Sequence, residues 1–236
     1  MCGRFTQKSE RRLLEEEFFI QEFSDHVVVS YNVAPGQKAG VVINDPTTRY
    51  VQFLWGLVPS WAKDPKIGSR LINARAETVA EKPSFKGAFR TKRCIVPVDG
   101  FYEWRKRDNR KVPYYIHRSA GRPFGLAGLW ECWKPKEIRR REGGDTEPLY
   151  TFTIITTQAS PALSALHDRM PVVVPKERIR QWLSGDDRQG GKNPAGEKSE
   201  GLLAFYGGSD LSFHEVSPFV NSPGNNSPVC MEPVSI

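Results

Sequence analysis

Long apolar segments are missing from this 236-residue sequence. The longest purely apolar runs, at 27–29 and 171–175, are far shorter than the roughly 18 residues that a transmembrane helix requires. No apolar stretch follows the polar and basic residues 1–12, so we expect no secretory signal and a cytoplasmic location. These absences exclude a membrane-spanning protein and predict a chain that folds in water.

Cysteine is also scarce. The chain has four cysteines, which are widely spaced and form no CxxC pair: Cys2, Cys94, Cys132 and Cys230. In a cytosolic chain this argues against a disulfide framework and against a zinc ribbon. No cluster of His, Cys and Asp has the spacing of metal ligands, so we expect neither a metal nor another cofactor.

The composition is that of a folded domain with a surplus of positive charge. Hydrophobic residues make up 39% and charged residues 26%, and the presence of 13 Phe, 7 Tyr and 6 Trp excludes a wholly disordered protein. The formal net charge of +7 favours a polyanionic partner. Basic residues concentrate at 90–93 and 105–111, close to Tyr102, Trp104 and the tyrosines at 114–115. Such a mixture of cations and rings is typical of grooves that bind single-stranded nucleic acid.

Hydrophobic periodicity predicts one α+β domain over residues 1–236. An amphipathic helix is predicted over 8–23 with Ser9 as its N-cap, and shorter helices over 160–167 and 176–183. The predicted strands are Val27–Tyr31, Lys38–Ile43, Tyr50–Leu54, Ile95–Val98, Tyr114–His117, Gly125–Trp130 and Tyr150–Thr156, with a hairpin turn at 44–48. We expect a largely antiparallel sheet, barrel-like or bifurcated, with peripheral helices. Two flexible inserts are expected at about 134–148 and 185–201.

The most informative residue is Cys2. Removal of Met1 would leave Cys2 with a free α-amine and a thiol on adjacent carbons. Their ordinary pKa values of about 7.7–8.0 and about 8.5 give each a reactive fraction near neutral pH. Such a 1,2-aminothiol condenses with an aldehyde to an imine, and the thiol then closes a five-membered thiazolidine ring. A cysteine at position 2 is by itself more often incidental, so this hypothesis depends on the surrounding sequence.

Six segments resemble, in order, the SOS response-associated peptidase (SRAP) family of abasic-site-processing proteins. They are MCGRF (1–5), YNVAP (31–35), WGLVPSW (55–61), NARAET (73–78), RCIVPVDGFYEW (93–104) and HDRMP (167–171). The resemblance runs from Met1 to about Asn221 and implies a self-contained SRAP domain that crosslinks through Cys2 to abasic sites in single-stranded DNA. The open form of an abasic sugar exposes the aldehyde that such chemistry needs. On this basis we expect a monomer with single-stranded DNA as its partner, associated with the nucleoid in a bacterial cell.

Three further residues are candidates for chemistry beside Cys2. By resemblance, Asn73 lies next to the cysteine, where its amide can orient the amine or a sugar hydroxyl. Glu103 lies in an aromatic segment, which predicts a desolvated carboxyl with a raised pKa, suited to proton transfer during imine formation. His167 can move protons at the deoxyribose oxygen during ring opening. Without the family motifs, each of these side chains would more often have a structural role.

Five residues are candidates for contacts with DNA. Arg4, Arg75 and Arg169 are expected on the phosphates that flank the lesion, because a guanidinium group binds phosphate oxygens in pairs. Trp104 is the candidate ring for base stacking or wedging, and Trp61 is a weaker candidate with a core position as its alternative.

Two other functions stay open at this point. A cysteine peptidase or amidohydrolase would use Cys2 as nucleophile, His167 as base and Asn73 as orienting group, with removal of Met1 as self-processing. A non-covalent single-strand-binding module would explain the cations and rings but would leave Cys2, Glu103 and His167 without a role. The imine route also leaves open a lyase activity, in which β-elimination cleaves the strand. Replacing Cys2 with Ala separates these functions, because only non-covalent binding survives the loss of the thiol.

Overall fold

Two β-sheets with short helices around them form the fold. The computed structural model describes residues 2–135, 147–185, 203 and 210–234, and the two predicted inserts lie mostly outside these ranges. In the described part the strands are β1 (Phe5–Gln7), β2 (Glu22–Phe23), β3 (Ser30–Val33), β4 (Lys38–Asn44), β5 (Thr48–Trp55), β6 (Asn73–Arg75), β7 (Arg93–Val98), β8 (Gly100–Arg107), β9 (Arg110–Arg118), β10 (Phe124–Trp133), β11 (Leu149–Gln158), β12 (Arg169–Pro171), β13 (Val173–Val174) and β14 (Leu211–Glu215). The helices are α1 (Arg11–Phe18), α2 (Lys86–Thr91) and α3 (Ile179–Ser184), and 3₁₀ turns occupy Pro65–Arg70, Lys176–Arg178, Pro218–Asn221 and Pro228–Cys230.

Five strands of the larger sheet close into a barrel. Strands β11, β10, β7, β4 and β5 are neighbours in that order, and β5 returns to pair in parallel with β11, where Trp55 faces Phe152. Every residue of β7 is buried, as expected for a short apolar strand at the centre of a sheet. Closure removes the free edges that an open sheet would expose. The predicted α+β domain with a largely antiparallel, barrel-like sheet is therefore confirmed.

The smaller sheet carries the amino terminus of the chain. Its strand order is β14–β9–β8–β1–β3, so β1 is paired on both sides. Strands β8 and β9 form a hairpin whose two-residue turn, Asp108–Asn109, has φ angles of 48° and 61°, as in a type I′ turn. The ring of Phe5 in β1 packs against Trp55 of the barrel, with centroids 4.8 Å apart. This contact joins the two sheets beside the first residues of the chain.

The helices are shorter than the sequence predicts. Helix α1 begins at Arg11, and the prediction of Ser9 as its N-cap is wrong, because the Ser9 hydroxyl donates to the carboxylate of Asp99 instead. The helix ends at Phe18 because Phe19 adopts a left-handed conformation with φ of 56°. The prediction over 176–183 is confirmed as a 3₁₀ turn followed by α3. None of the helices in the described ranges is long and apolar enough to cross a membrane.

The predicted helix over 160–167 is wrong, and the segment is a series of turns. The N–H of Ala159 donates to the carbonyl of Asp168 at 2.9 Å, so the two ends of the segment are tied together. A straight helix of this length would separate its ends by about 12 Å. The long-range pairing that follows, between β11 and β12, therefore overrides the local helical preference.

The first predicted strand is displaced along the chain. The sequence favours 27–31, but β3 covers Ser30–Val33 because β1 pairs with those residues. The other predicted strands are found and are slightly longer, and the hairpin of β4 and β5 is confirmed by continuous antiparallel pairing from Lys38 to Asn44. Among the strands that the sequence did not reveal are β1, β6, β8 and β14. They are short or polar, so their stability comes from pairing with neighbours rather than from a local pattern.

Candidate active site

The amino-terminal residues run antiparallel to β8. The N–H of Tyr102 donates to the carbonyl of Arg4 at 2.9 Å, and the pairing continues into β1. Cys2, two residues before Arg4, lies near Glu103 of β8, whose carboxylate acts on the Cys2 thiol. Cys2 is fully buried and lies in the apolar cluster between the sheets. The fold thus places the second residue of the chain in the interior, beside the outer half of β8.

Asn73 fixes the backbone of Cys2. Its Nδ2 donates to the carbonyl of Cys2 at 2.8 Å. Asn73 opens β6, and the carbonyl of the preceding residue, Ile72, accepts a hydrogen bond of 2.9 Å from the Trp55 indole, which anchors this part of the chain to the barrel. Asn73 Oδ1 is buried, and nothing in the described part of the chain donates to it. The structure therefore places Asn73 beside Cys2, as the sequence predicts, and leaves an acceptor available there. Its catalytic role stays a prediction.

The thiol of Cys2 is held in its protonated form. Complete burial raises the pKa of the thiol well above its usual range, and the neighbouring carboxylate of Glu103 raises it further. The positive charge of the amino terminus and a hydrogen bond from the backbone of Arg4 oppose this shift only in part. The sequence gives only the ordinary pKa of about 8.5 and does not reveal this burial. A reactive thiolate here requires a group that accepts the proton.

Glu103 is a buried carboxyl with the properties of such a group. Glu103 is only 5% exposed, and burial raises its pKa to about 7 although the positively charged amino terminus lowers it; the carboxylate of Asp168 adds a smaller rise. The rise predicted from the aromatic segment is confirmed. A carboxyl with this pKa is present in both protonation states near neutrality, which suits a group that accepts and returns a proton.

His167 lies at the end of the turns that precede β12. Its Nδ1 accepts a hydrogen bond of 3.0 Å from the N–H of Arg169, while Asp168 Oδ1 lies 2.5 Å from the same nitrogen. The N–H favours a neutral ring and the carboxylate favours an imidazolium, but partial burial dominates and lowers the pKa of His167. Asp168 links the two titratable groups, because it contacts His167 and also raises the pKa of Glu103. The sequence analysis missed Asp168, although its position next to His167 was a usable signal.

Arg4 is built into the fold. It is only 9% exposed, and its Nη1 donates to Asn32 Oδ1 at 2.7 Å and to the carbonyl of Val220 at 2.9 Å. Its guanidinium lies 5.7 Å from the centre of the Trp104 ring. Asn32, which the sequence analysis did not select, also donates to Val220, 188 residues away, so no local pattern could have identified it. These bonds fix the amino terminus against the carboxyl-terminal segment.

The other two predicted phosphate ligands differ in their present contacts. Arg169 forms a two-bond ion pair with Glu77, with distances of 3.1 and 2.9 Å, and donates to the carbonyl of Thr156 at 2.7 Å. The ion pair lowers the pKa of Glu77. Arg75 is exposed at the end of β6 and has no carboxylate within ion-pair distance among the residues described. Arg75 is therefore available to an anion, whereas Arg169 would have to exchange a carboxylate for a phosphate.

The two candidate stacking rings are both accessible. Trp104 is half-buried, and its Nε1 donates to Asn221 Oδ1 at 2.7 Å. Trp61 is 53% exposed, so the alternative of a core position for it is wrong. The Trp61 ring borders an open depression of about 400 Å³ whose lining includes Lys63 and Lys66. Stacking on either ring stays a prediction.

Known proteins resemble this chain over nearly its whole length. A family model described as SOS response associated peptidase (SRAP) matches residues 1–223. The abasic site processing protein YoqW of Bacillus subtilis (strain 168) is 43% identical, over 98% of this chain and 99% of YoqW. The abasic site processing protein HMCES of Xenopus tropicalis is 32% identical, over 88% of this chain and 67% of HMCES. A crystal structure of a Bacteroides thetaiotaomicron protein superimposes with a TM-score of 0.80 at 26% identity, covering 99% of this chain and 100% of that one.

Proposed function

The chain belongs to the SOS response associated peptidase (SRAP) family, and from this premise we propose that it processes abasic sites in single-stranded DNA by forming a covalent crosslink through Cys2. Relatives from Bacillus subtilis and Xenopus tropicalis carry the name abasic site processing protein. The observation that carries the proposal is the environment of Cys2. Its thiol is buried, its backbone is held by Asn73, and the neighbouring Glu103 has a pKa of about 7.

The proposed reaction begins when removal of Met1 frees the α-amine of Cys2. The amine adds to C1′ of the open-chain abasic sugar, and the resulting carbinolamine loses water to give an imine. The thiol then adds to the imine carbon, so that a C–S bond forms while the nitrogen takes up the proton that the sulfur loses. The product is a thiazolidine, and the balance is one aldehyde and one aminothiol joined with release of one water.

The residues around Cys2 supply the proton transfers. As a carboxylate, Glu103 accepts the proton of a thiol whose pKa burial has raised, and as an acid it protonates the departing hydroxyl of the carbinolamine. His167, whose lowered pKa favours the neutral ring, exchanges a proton with the sugar oxygen as the ring opens. Asn73 keeps the backbone of Cys2 in one position, which limits the directions from which amine and thiol approach the aldehyde.

The experiment that tests this function mixes the protein with a single-stranded oligonucleotide carrying one abasic site. Denaturing electrophoresis should show a shifted band, and intact mass should equal protein without Met1 plus oligonucleotide minus one water. An oligonucleotide whose abasic sugar has been reduced to the alcohol lacks the aldehyde and should give no shifted band. The Cys2→Ala protein should give none with either DNA.

Each alternative function has its own outcome in this experiment. A peptidase would lose Met1 and cleave peptide substrates, yet it would give no shifted band with any oligonucleotide. A non-covalent binding module would retard the DNA only on a native gel, and its Cys2→Ala variant would bind equally well. A shortened DNA fragment in the reaction would indicate β-elimination from the imine. A shifted band on the reduced sugar would contradict aldehyde chemistry altogether.

We also propose that Arg169 binds a phosphate of the DNA after releasing Glu77. Glu77→Gln should then strengthen DNA binding, because it removes the competing carboxylate while the Thr156 carbonyl still holds the guanidinium. One additional phosphate contact steepens the salt dependence of single-strand binding by about 0.7 and raises affinity about 5-fold at 0.1 M salt. Fluorescence anisotropy across a salt series measures both quantities. The exposed Glu10→Gln variant is the matched control for the change in charge, and equal effects of the two substitutions would count against Arg169 as a phosphate ligand.

A further inference from the structure

The hairpin of β8 and β9 extends beyond the amino-terminal strand that flanks it. Strand β1 pairs with β8 only at its inner end, where Phe5 faces Phe101. Cys2 precedes β1 and lies near Glu103, whose carboxylate raises the pKa of the Cys2 thiol. The hairpin continues past this point to its turn, with Arg107 facing Arg110. The residues from Arg105 to Lys111, which we call the basic tip, therefore project beyond β1 and beyond Glu103, the neighbour of Cys2.

The basic tip carries a concentrated positive charge. All of its residues are exposed, and it contains three arginines and two lysines against one acid, Asp108. Only Arg107 is neutralised within the described residues, by a two-bond ion pair to Glu215 of β14 with distances of 2.9 and 3.1 Å. That pair and the type I′ turn both restrict the conformations of the tip. A preorganised cationic surface beside a reactive site is suited to binding a polyanion.

Strand alternation sorts the remaining cations onto two faces. Residues two apart on a strand, and residues directly opposite on the partner strand, point to the same side of the sheet. Arg105 and Arg107 are two and four residues beyond Glu103, so both lie on the face of Glu103. Arg110 is directly opposite Arg107 and therefore lies on the same face. Lys106 and its cross-strand partner Lys111 share the opposite face, that of Trp104. On this second face the carboxyl-terminal segment already covers the inner part of the sheet, since Asn221 bonds to Trp104.

We propose that Arg105 and Arg110 bind the sugar-phosphate backbone of the DNA strand as it leaves the abasic site, so that the strand runs along the basic tip. This proposal rests on the proposed function, because it takes the site at Cys2 as the place where the damaged nucleotide is held. Arg105 lies about 7 Å, and the Arg107–Arg110 rung about 14 Å, along the strand from Glu103. The tip thus reaches a phosphate within a few nucleotides of the reacting sugar. Guanidinium groups suit this contact because they bind phosphate oxygens in pairs.

The test compares two double variants of the same hairpin that remove the same charge. Arg105→Gln with Arg110→Gln alters the Glu103 face, and Lys106→Gln with Lys111→Gln alters the other face. Binding is measured by anisotropy with an undamaged fluorescent single-stranded oligonucleotide over a salt series, so that the readout does not require crosslinking. Two lost phosphate contacts predict an affinity about 10-fold to 25-fold lower at 0.1 M salt, and a salt slope reduced by about 1.4, for the arginine variant. The lysine variant should lower affinity by less than about 3-fold, because it removes only screened long-range attraction between the positively charged protein and the DNA. Thermal unfolding checks that both variants are folded.

Each outcome of this test decides the proposal. Equal weakening by both double variants, or none by the arginine variant, overturns it. If wild-type protein crosslinks abasic DNA while the arginine variant binds normally, the role of the tip is wrong and the proposed function stands. If the arginine variant alone weakens binding but wild-type protein forms no crosslink, the tip binds DNA and the proposed function is wrong. If wild-type protein does not bind the undamaged strand at all, the role of the tip is wrong, and the crosslinking assay with abasic DNA decides the proposed function separately.

Discussion

Replacing Cys2 with serine should abolish the stable adduct with abasic DNA but leave an imine that a reductant can trap. Serine keeps the α-amine and is small enough for Met1 to be removed, so the first condensation can still occur. Its hydroxyl is a far weaker nucleophile than a thiolate, and closure of the five-membered ring is lost. We expect the yield of adduct that survives denaturant to fall by about 100-fold or more. This is the largest effect that the proposed mechanism predicts.

The measurement is denaturing electrophoresis of parallel reactions with and without sodium cyanoborohydride. Reductant should restore a covalent band to the Cys2→Ser protein, because it converts the imine to a stable amine. Cys132→Ser is the matched control, since Cys132 is half-buried on β10 and has no part in the site. A stable adduct of Cys2→Ser without reductant would show that sulfur is not used, and a failure to trap the imine would show that the amine is not.

Glu103→Gln should slow crosslinking by about 100-fold or more, within the range that general acid–base catalysis supplies. In the proposed mechanism the carboxylate of Glu103 accepts the proton of the buried thiol, and an amide cannot do so. Because the pKa of Glu103 is about 7, the ratio of wild-type to variant rates should rise as the pH increases through 7. Using this ratio removes the pH dependence of groups that titrate alike in both proteins.

Single-turnover rates between pH 5 and pH 9 provide this measurement, and Glu10→Gln is the control for loss of an exposed carboxylate. A rate ratio that does not change with pH would assign Glu103 a structural role. A ratio that falls as the pH rises would mean that the protonated form is the active one, with the acid step limiting the reaction.

The same carboxyl should make the protein less stable at high pH. Burial raises the pKa of Glu103 to about 7 from an unfolded value near 4.3, so its ionisation disfavours the folded state. The stabilising contribution is fully present below the unfolded pKa and is lost as the pH rises through the folded one. We expect the free energy of unfolding of wild-type protein to fall by about 2–3 kcal/mol relative to Glu103→Gln between pH 5 and pH 9. Urea denaturation of the two proteins measures the difference, and parallel pH curves would contradict it.

The fold was predictable from sequence where local signals agree with the final pairing. The hairpin of β4 and β5 follows from two apolar strands around a turn-forming segment at 44–48, so the hairpin itself could be anticipated. The helix proposed over 160–167 had an adequate local pattern and failed, because the bond between Ala159 and Asp168 closes the segment into a loop. Local preference is weak compared with long-range strand pairing, and such conflicts are decided by the tertiary structure.

The sequence by itself determined the chemistry of Cys2, because that chemistry depends on two groups held on adjacent carbons of one residue. An amine and a thiol on neighbouring carbons of Cys2 form a 1,2-aminothiol in any fold once Met1 is removed. The order of six motifs likewise indicated the family without any coordinates. Covalent connectivity and the order of motifs can be read directly from the amino-acid sequence. The predictions of aminothiol chemistry and of the family therefore needed no knowledge of packing.

Only the tertiary structure decided how the site is tuned. The bond from Asn73 to Cys2 joins residues 71 positions apart, and the pairing of Arg169 with Glu77 spans 92. The protonated state of the thiol depends on complete burial, a property of the packed core rather than of any segment. Desolvation and long-range hydrogen bonds arise only when distant parts of the chain pack together and exclude water. A local sequence pattern therefore cannot predict them.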